Sequence, residues 1–234
     1  MGKDVIVACD FDSKKETLDF LSIFEGKRLP FVKIGMELFY SEGPDIVREI
    51  KKRGHRIFLD LKLHDIPNTV KKSMHVLSEL DVDITNLHIA GGSEMMRSAI
   101  TGLTKSDGTR PLLIGVTMLT STDQKMMEEE LLIKGKLKDT VRSYAKNAKE
   151  CGLDGVVCSP QEADDVHEWC GRDFITVTPG IRFPEDSGND DQKRVMSPAM
   201  AREQGSDYIV VGRPITKADD PLEAYVRCVR EFLN

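Results

Sequence analysis

The sequence predicts an α/β fold, a single (β/α)8 TIM barrel occupying residues 1–234, and three observations predict it. Eight short apolar runs alternate with helix-length segments along 234 residues. A doubly wound sheet would also alternate, but with fewer strands and usually a glycine phosphate loop; neither a GxGxxG motif nor a Walker lysine loop is present. No linker rich in Pro, Gly or Ser divides the chain.

The elements follow in order. VIVAC (5–9) is the first strand, and ETLDFLSIF (16–24) the helix after it. FVKIG (31–35) is the second strand, followed by an amphipathic helix, GPDIVREIKKRG (43–54), ended by glycine. RIFLDL (56–61) is the third strand, and the helix in 65–80 begins near Pro67, a residue tolerated in a first turn. DITNLHI (83–89) and SEMMRSAITGL (93–103) make the fourth unit. PLLIGVTML (111–119) is the fifth strand, with Pro111 acceptable at its start. A longer polar region then leads into a helix over 137–152 that ends at glycine. GVVCS (155–159), FITVTPG (174–180) and DYIVVGRPI (207–215) are strands six to eight, and the chain closes in a helix over 220–233 with Asp220 as N-cap and a proline behind it.

Composition narrows the class. Hydrophobic residues are 40% and charged residues 31%, as in an ordinary soluble globular protein. Lys plus Arg is 33 and Asp plus Glu 39, a net charge of −6 that speaks against broad nucleic-acid binding. Neither a signal-peptide apolar region nor a membrane-spanning window is expected. The five cysteines are scattered, odd in number and without a CxxC pair, as expected of reduced thiols in the cytoplasm. The five histidines lie at least nine residues apart, so local spacing offers no metal cluster.

The chemistry concentrates where barrels carry it, at the C-terminal ends of strands. Asp10 follows VIVAC, and Lys33 is the one charge in FVKIG. In LDLKLHDIP (59–67), Asp60 and Lys62 are two residues apart, which puts both on one face of a strand, and Asp65 lies just beyond. Lys33, Asp60, Lys62 and Asp65 can form an alternating set without formal net charge, better tolerated in a dry pocket than any member alone. Such a set either fixes loop geometry or holds a lysine protonated and aimed as a general acid. TPGIR and GlyArg follow strands seven and eight, the loops with which barrels often hold phosphate. Arg182 and Arg213 are therefore candidate donors, with Gly212 permitting close backbone approach. The polar stretch 182–195 reads as a solvated loop, and His88 as a structural residue at the end of strand four.

DLKLHDIPNTV (60–70) closely resembles the signature of the orotidine 5′-monophosphate decarboxylase family, bacterial type. ACDF (8–11), FVKIGMELF (31–39), HIAGG (88–92), GVTMLTS (115–121), GLDGVVCS (152–159), TVTPGIR (176–182) and VVGRPIT (210–216) extend the likeness over nearly the whole chain. The resemblance implies a (β/α)8 barrel that converts orotidine 5′-monophosphate to uridine 5′-monophosphate and CO2, the last step of de novo UMP synthesis, as a homodimer with neither metal nor organic cofactor. It implies that Lys62 protonates C6, that Asp60 lies beside the departing carboxylate, and that Lys33 belongs to the same network near the sugar. Asp65, Ile66 and Thr69 would reach the partner subunit's site. Asp10 would bind the ribose, Thr120 the pyrimidine, and Pro179, Arg182, Gly212 and Arg213 would line the substrate's binding site. Segment 182–195 would be a lid over the phosphate, with Gln192 bridging phosphate and base.

Two other functions fit less of the chain. A magnesium-dependent sugar-phosphate decarboxylase or aldolase of the same superfamily shares the DxKxxD pattern, but carries a metal-binding glutamate where Lys33 stands and lacks the DIPNTV continuation. A non-catalytic nucleotide- or phosphate-binding barrel would be expected to have lost members of the charged set, and all four are present.

Overall fold

The computed structural model describes residues 2–186 and 196–234. Eight parallel strands close into a barrel in sequence order, β1 pairing with β8. They are β1 (Asp4–Ala8), β2 (Phe31–Gly35), β3 (Ile57–Leu63), β4 (Ile84–His88), β5 (Leu112–Val116), β6 (Gly155–Val157), β7 (Ile175–Thr178) and β8 (Tyr208–Val211). The intervening helices are α1 (Lys14–Ser22), α2 (Met36–Glu42), α3 (Pro44–Lys52), α4 (Pro67–Ser78), α5 (Gly92–Leu103), α6 (Gln124–Glu129), α7 (Leu137–Cys151), α8 (Ala163–Cys170), α9 (Pro198–Glu203), α10 (Arg213–Thr216) and α11 (Pro221–Leu233).

The strands are largely apolar because both faces are buried. In β1, Ile6 and Ala8 point into the barrel with Phe31, Phe58, Ile84 and Tyr208, while Val5 and Val7 pack outward against the helices. The same alternation puts Lys33 on the inner face with Phe31, and Asp60 on the inner face with Phe58. The charged side chains thus stand one layer above the apolar filling, at the C-terminal mouth.

Caps fix the helix ends. Ser13 accepts the N–H of Glu16 at the start of α1, and Asp220 accepts that of Glu223 at the start of α11. Pro67 opens α4, and Gly152 closes α7 in the left-handed conformation at φ 92°. The expected strand over 207–215 divides: it ends at Val211, and 213–216 turn into α10, since Pro214 cannot donate to a ladder and suits a first helical turn. Strand five likewise stops at Val116 rather than 119, whereas strand three runs on to Leu63. The sequence reading had no helix at α2, which begins directly after β2 without a side-chain cap, nor at the short α6 and α9.

Candidate active site

The site grows from the ends of the first four strands. The β1–β2 register sets Ala8 opposite Lys33, so Asp10, two residues further on, meets the lysine's head group. Lys33 Nζ lies 2.9 Å from Asp10 Oδ1 and 3.5 Å from Asp60 Oδ2. Lys62 Nζ lies 2.7 Å from Asp60 Oδ1. The chain Asp10–Lys33–Asp60–Lys62 therefore alternates in sign. Within the subunit Asp10 completes this set, not Asp65, whose exposed carboxylate accepts the N–H of Ile66 at 2.6 Å. The reason is register: Asp10 lies on the strand beside β2, whereas Asp65 lies beyond β3 in the turn before α4.

Burial works against the charge on Lys33, but the carboxylates of Asp60 and Asp10 outweigh it and hold the ammonium above its ordinary range. Burial would likewise raise Asp60. Lys33 and Lys62, with hydrogen bonds from Lys62 and Asn86, overcome that and keep its carboxyl below the ordinary range. Asp60 is ionised and multiply held, a fixed negative charge in a nearly dry position.

Simple alternation does not account for Lys62. The β3–β4 register slips between Leu59 and Leu63, and Lys62 adopts φ 51°, the left-handed region that side-chain-bearing residues seldom enter. Its N–H is turned onto Asn86 Oδ1 at 2.8 Å, and Asn86 Nδ2 donates to Asp60 Oδ1 at 2.7 Å. Asn86, fully buried, went unrecognised in the sequence, although its signal is there: a polar residue on the inward register of β4, two positions after Ile84. Gly35 is the second such residue. A Cβ there would stand 3.0 Å from Asp10 Oδ1 and 3.2 Å from Lys33 Nζ, so glycine leaves the pair its room.

A cavity of about 640 Å³ opens above this floor. Asp10, Lys33, Asp60, Lys62, Thr120, Pro179, Arg182, Gly212 and Arg213 all line it, as do Met118 and Val157. Asp65, Ile66 and Thr69 do not line it; they sit exposed at the turn into α4, and Ile66 is 67% exposed. Gln192 and most of the expected lid, 187–195, lie outside the described residues. The ends of that segment are drawn together, Arg182 N–H donating to Met196 O at 3.0 Å and Met196 N–H to Gly180 O at 3.1 Å. At Gly212 a Cβ would meet only Ala8, at an ordinary 3.6 Å, so chain packing leaves space there on the cavity side. His88 is half-buried, its ring 5.6 Å from that of His64; burial, then His64 and Lys62, push its imidazole below the ordinary range.

A closed parallel barrel with an alternating charged floor, one arginine on the loop after β7 and one at the start of the helix after β8 is suited to a small anionic ligand. Known proteins sharpen that class. Residues 3–228 match the family described as orotidine 5′-phosphate decarboxylase / HUMPS. The orotidine 5′-phosphate decarboxylases of Bacillus cytotoxicus and Bacillus mycoides are each 58% identical over 228 residues, covering 96% of this chain and 95% of theirs. The crystal structure of orotidine 5′-phosphate decarboxylase from Lactobacillus acidophilus superposes with a TM-score of 0.88 at 43% identity, covering 99% of this chain and 100% of that one. That of an uncharacterized conserved protein from Geobacillus kaustophilus gives 0.86 at 50%, covering 97% and 99%. The chain belongs to the orotidine 5′-phosphate decarboxylase / HUMPS family.

Proposed function

We infer that the chain decarboxylates orotidine 5′-monophosphate to uridine 5′-monophosphate and CO2, with Lys62 as the proton donor. The observation that carries this reading is the ammonium of Lys62 held 2.7 Å from an ionised Asp60 on the floor of the cavity. In the reaction the C6–carboxylate bond breaks, CO2 departs, and the electron pair left on C6 takes a proton from Lys62 Nζ. No electron sink in the pyrimidine absorbs that pair, so catalysis rests on charge already in place, a cation at the atom where negative charge develops. Asp60, beside the departing carboxylate, holds the Lys62 head group in place at 2.7 Å. Its repulsion of the substrate carboxylate adds ground-state destabilisation.

Arg182, Arg213 and the backbone at Gly212 hold the phosphate, Asp10 and Lys33 the ribose, and Thr120 and Pro179 the base. Segment 182–195 acts as the lid, Gln192 bridging phosphate and base, so that phosphate binding contributes to chemistry at the other end of the substrate. The chain works as one barrel domain in a homodimer, with Asp65, Ile66 and Thr69 entering the partner's site; the exposure of Ile66 beside the charged loop supports this. No helix of the described residues is long and apolar enough to cross a membrane. All five cysteines are buried and none is in a disulfide, which supports a reducing, cytoplasmic setting.

The test follows orotidine 5′-monophosphate by ultraviolet absorbance in excess EDTA, with the wild-type protein beside Lys62→Ala and Asp65→Ala. Conversion by the wild type, lost by at least about 10²-fold in Lys62→Ala, is expected; a folded wild type that leaves the substrate unchanged, with or without magnesium, would reject the reaction. Mixing the two inactive variants should restore about a quarter of wild-type activity, because half the dimers then carry one intact site. No recovery on mixing would reject the shared site alone.

A further inference from the structure

We propose that Asn86 is a positioning residue for the reaction, its side-chain amide setting both the carboxylate and the lysine on which proton transfer depends. This rests on the decarboxylase reading above and adds a residue to it.

Asn86 occupies an inward position of β4, between Ile84 below and His88 above, and is inaccessible to solvent. The amide is buried at 0% exposure and hydrogen-bonded at both ends, which restrains its orientation. Its Oδ1 accepts the backbone N–H of Lys62 at 2.8 Å, and its Nδ2 donates to Asp60 Oδ1 at 2.7 Å. Lys62 Nζ approaches that same Asp60 oxygen at 2.7 Å. One amide therefore spans the start and end of a three-residue stretch of β3, gripping the carboxylate on one side and the lysine's main chain on the other.

The backbone explains why a brace is required. Lys62 stands at φ 51°, where an L side chain crowds its own main chain, and the β3–β4 ladder is slipped at this point. At this slip the Lys62 N–H is satisfied by a side chain, Asn86 Oδ1, near the floor of the site. The hydrogen bond holds the Lys62 main chain in the geometry in which Nζ lies 2.7 Å from Asp60 Oδ1. The neighbouring main chain is anchored in the same way, Thr85 Oγ1 donating to Leu59 O at 3.1 Å.

Asn86→Asp separates positioning from mere packing. An aspartate keeps the shape and can still accept the Lys62 N–H, but it donates to Asp60 only when protonated. The titratable groups around it are Asp60 and Lys62 on β3, Lys33 on β2, His88 on β4 and Asp10 after β1; β5 contributes Ile114 and Val116. Two carboxyls sharing one contact hold a proton between them more readily than either would alone, so the missing donor returns as pH falls.

The experiment measures kcat and KM for orotidine 5′-monophosphate against pH for the wild type, Asn86→Ala and Asn86→Asp, with amide hydrogen exchange at Lys62 on the same proteins. Asn86→Ala should lose about 10²-fold in kcat, the scale of a catalytic group misplaced by an ångström, with KM changed less than about threefold because the phosphate contacts remain. Its Lys62 amide should exchange faster than in wild type. Asn86→Asp should be impaired at neutral pH and recover on acidification, a profile that a uniform loss of folded protein cannot produce. The proposal is overturned if Asn86→Asp keeps the wild-type profile shape, if Asn86→Ala keeps kcat within about threefold, or if its Lys62 exchange is unchanged. Should Asn86→Ala fail to fold, the aspartate profile decides alone. A wild type without turnover rejects the decarboxylase reading itself, whereas an active wild type beside unaffected variants rejects only the role of Asn86.

Discussion

At the N-terminal end of the barrel, Asp83, Asp154 and Asp207 each stand one residue before an even-numbered strand and each reaches back to the preceding odd one. Asp83 accepts the N–H of Ile57 at 2.8 Å, Asp154 that of Leu113 at 2.7 Å, and Asp207 that of Thr176 at 2.8 Å. Each also has a basic partner: Lys51 at 3.1 Å from Asp83, a two-pronged Arg110 on Asp154, and His167 at 3.3 Å from Asp207. At the C-terminal end, the partners of Asp60 among the described residues are Lys33, Lys62 and the amide of Asn86, all side chains. Cavities open at both ends, about 560 Å³ below and about 640 Å³ above, so size does not separate them. What separates them is how the charges are held. Below, carboxylates tie main chain to main chain and set strand register. Above, side chains hold one another, which costs stability unless every member is present and leaves charge facing the cavity.

Substitutions at the two ends should therefore fail differently. The largest effect belongs above: Lys33→Met removes the link between Asp10 and Asp60 and should lower turnover by about 10²-fold or more, the scale of removing one preorganised electrostatic group. Unimpaired kcat/KM for orotidine 5′-monophosphate would show that the alternating chain is no functional unit. The smallest effect belongs below and is a pH slope. The hydrogen bond to Asp207, outweighing burial, raises His167, so its contribution is complete below about 6.5 and fades as pH rises through the higher folded value. Burial would raise Asp207, but the His167 and Thr176 hydrogen bonds prevail and lower it; its contribution is present above about 3.9 and fades as pH falls through the lower folded value. His167→Gln should accordingly flatten the decline of Tm between about pH 6 and pH 8 and leave kcat unchanged. An identical Tm slope in the variant would dismiss the pair as a contributor.

Much of this division was legible beforehand. All eight strands were readable because strands buried on both faces are short apolar runs bounded by glycine, proline and polar residues. Asp60 and Lys62 stood out because charge inside such a run is anomalous. The left-handed turn at Lys62 was not legible, because it arises from a register slip between β3 and β4 that local sequence does not encode. Asn86 was passed over for the same reason, since its partners lie 24 and 26 residues away on another strand. Pairing register also decided that Asp10, rather than Asp65, completes the set within the subunit. The lower aspartates left a trace that went unread: VDIT, LDGV and SDYI each put aspartate immediately before a strand.

The most direct measurement pairs two isosteric changes, Asp60→Asn and Asp154→Asn, and determines kcat/KM for orotidine 5′-monophosphate and Tm for both. Asp60→Asn should lose activity by about 10²-fold or more while remaining folded. Asp154→Asn should keep wild-type kcat/KM and lose roughly 1–3 kcal/mol of stability, the cost of a weakened, partly buried acceptor for a backbone N–H and a guanidinium. An active Asp60→Asn, or an Asp154→Asn that is as stable as wild type but catalytically impaired, would contradict the assignment of chemistry to the upper end and architecture to the lower.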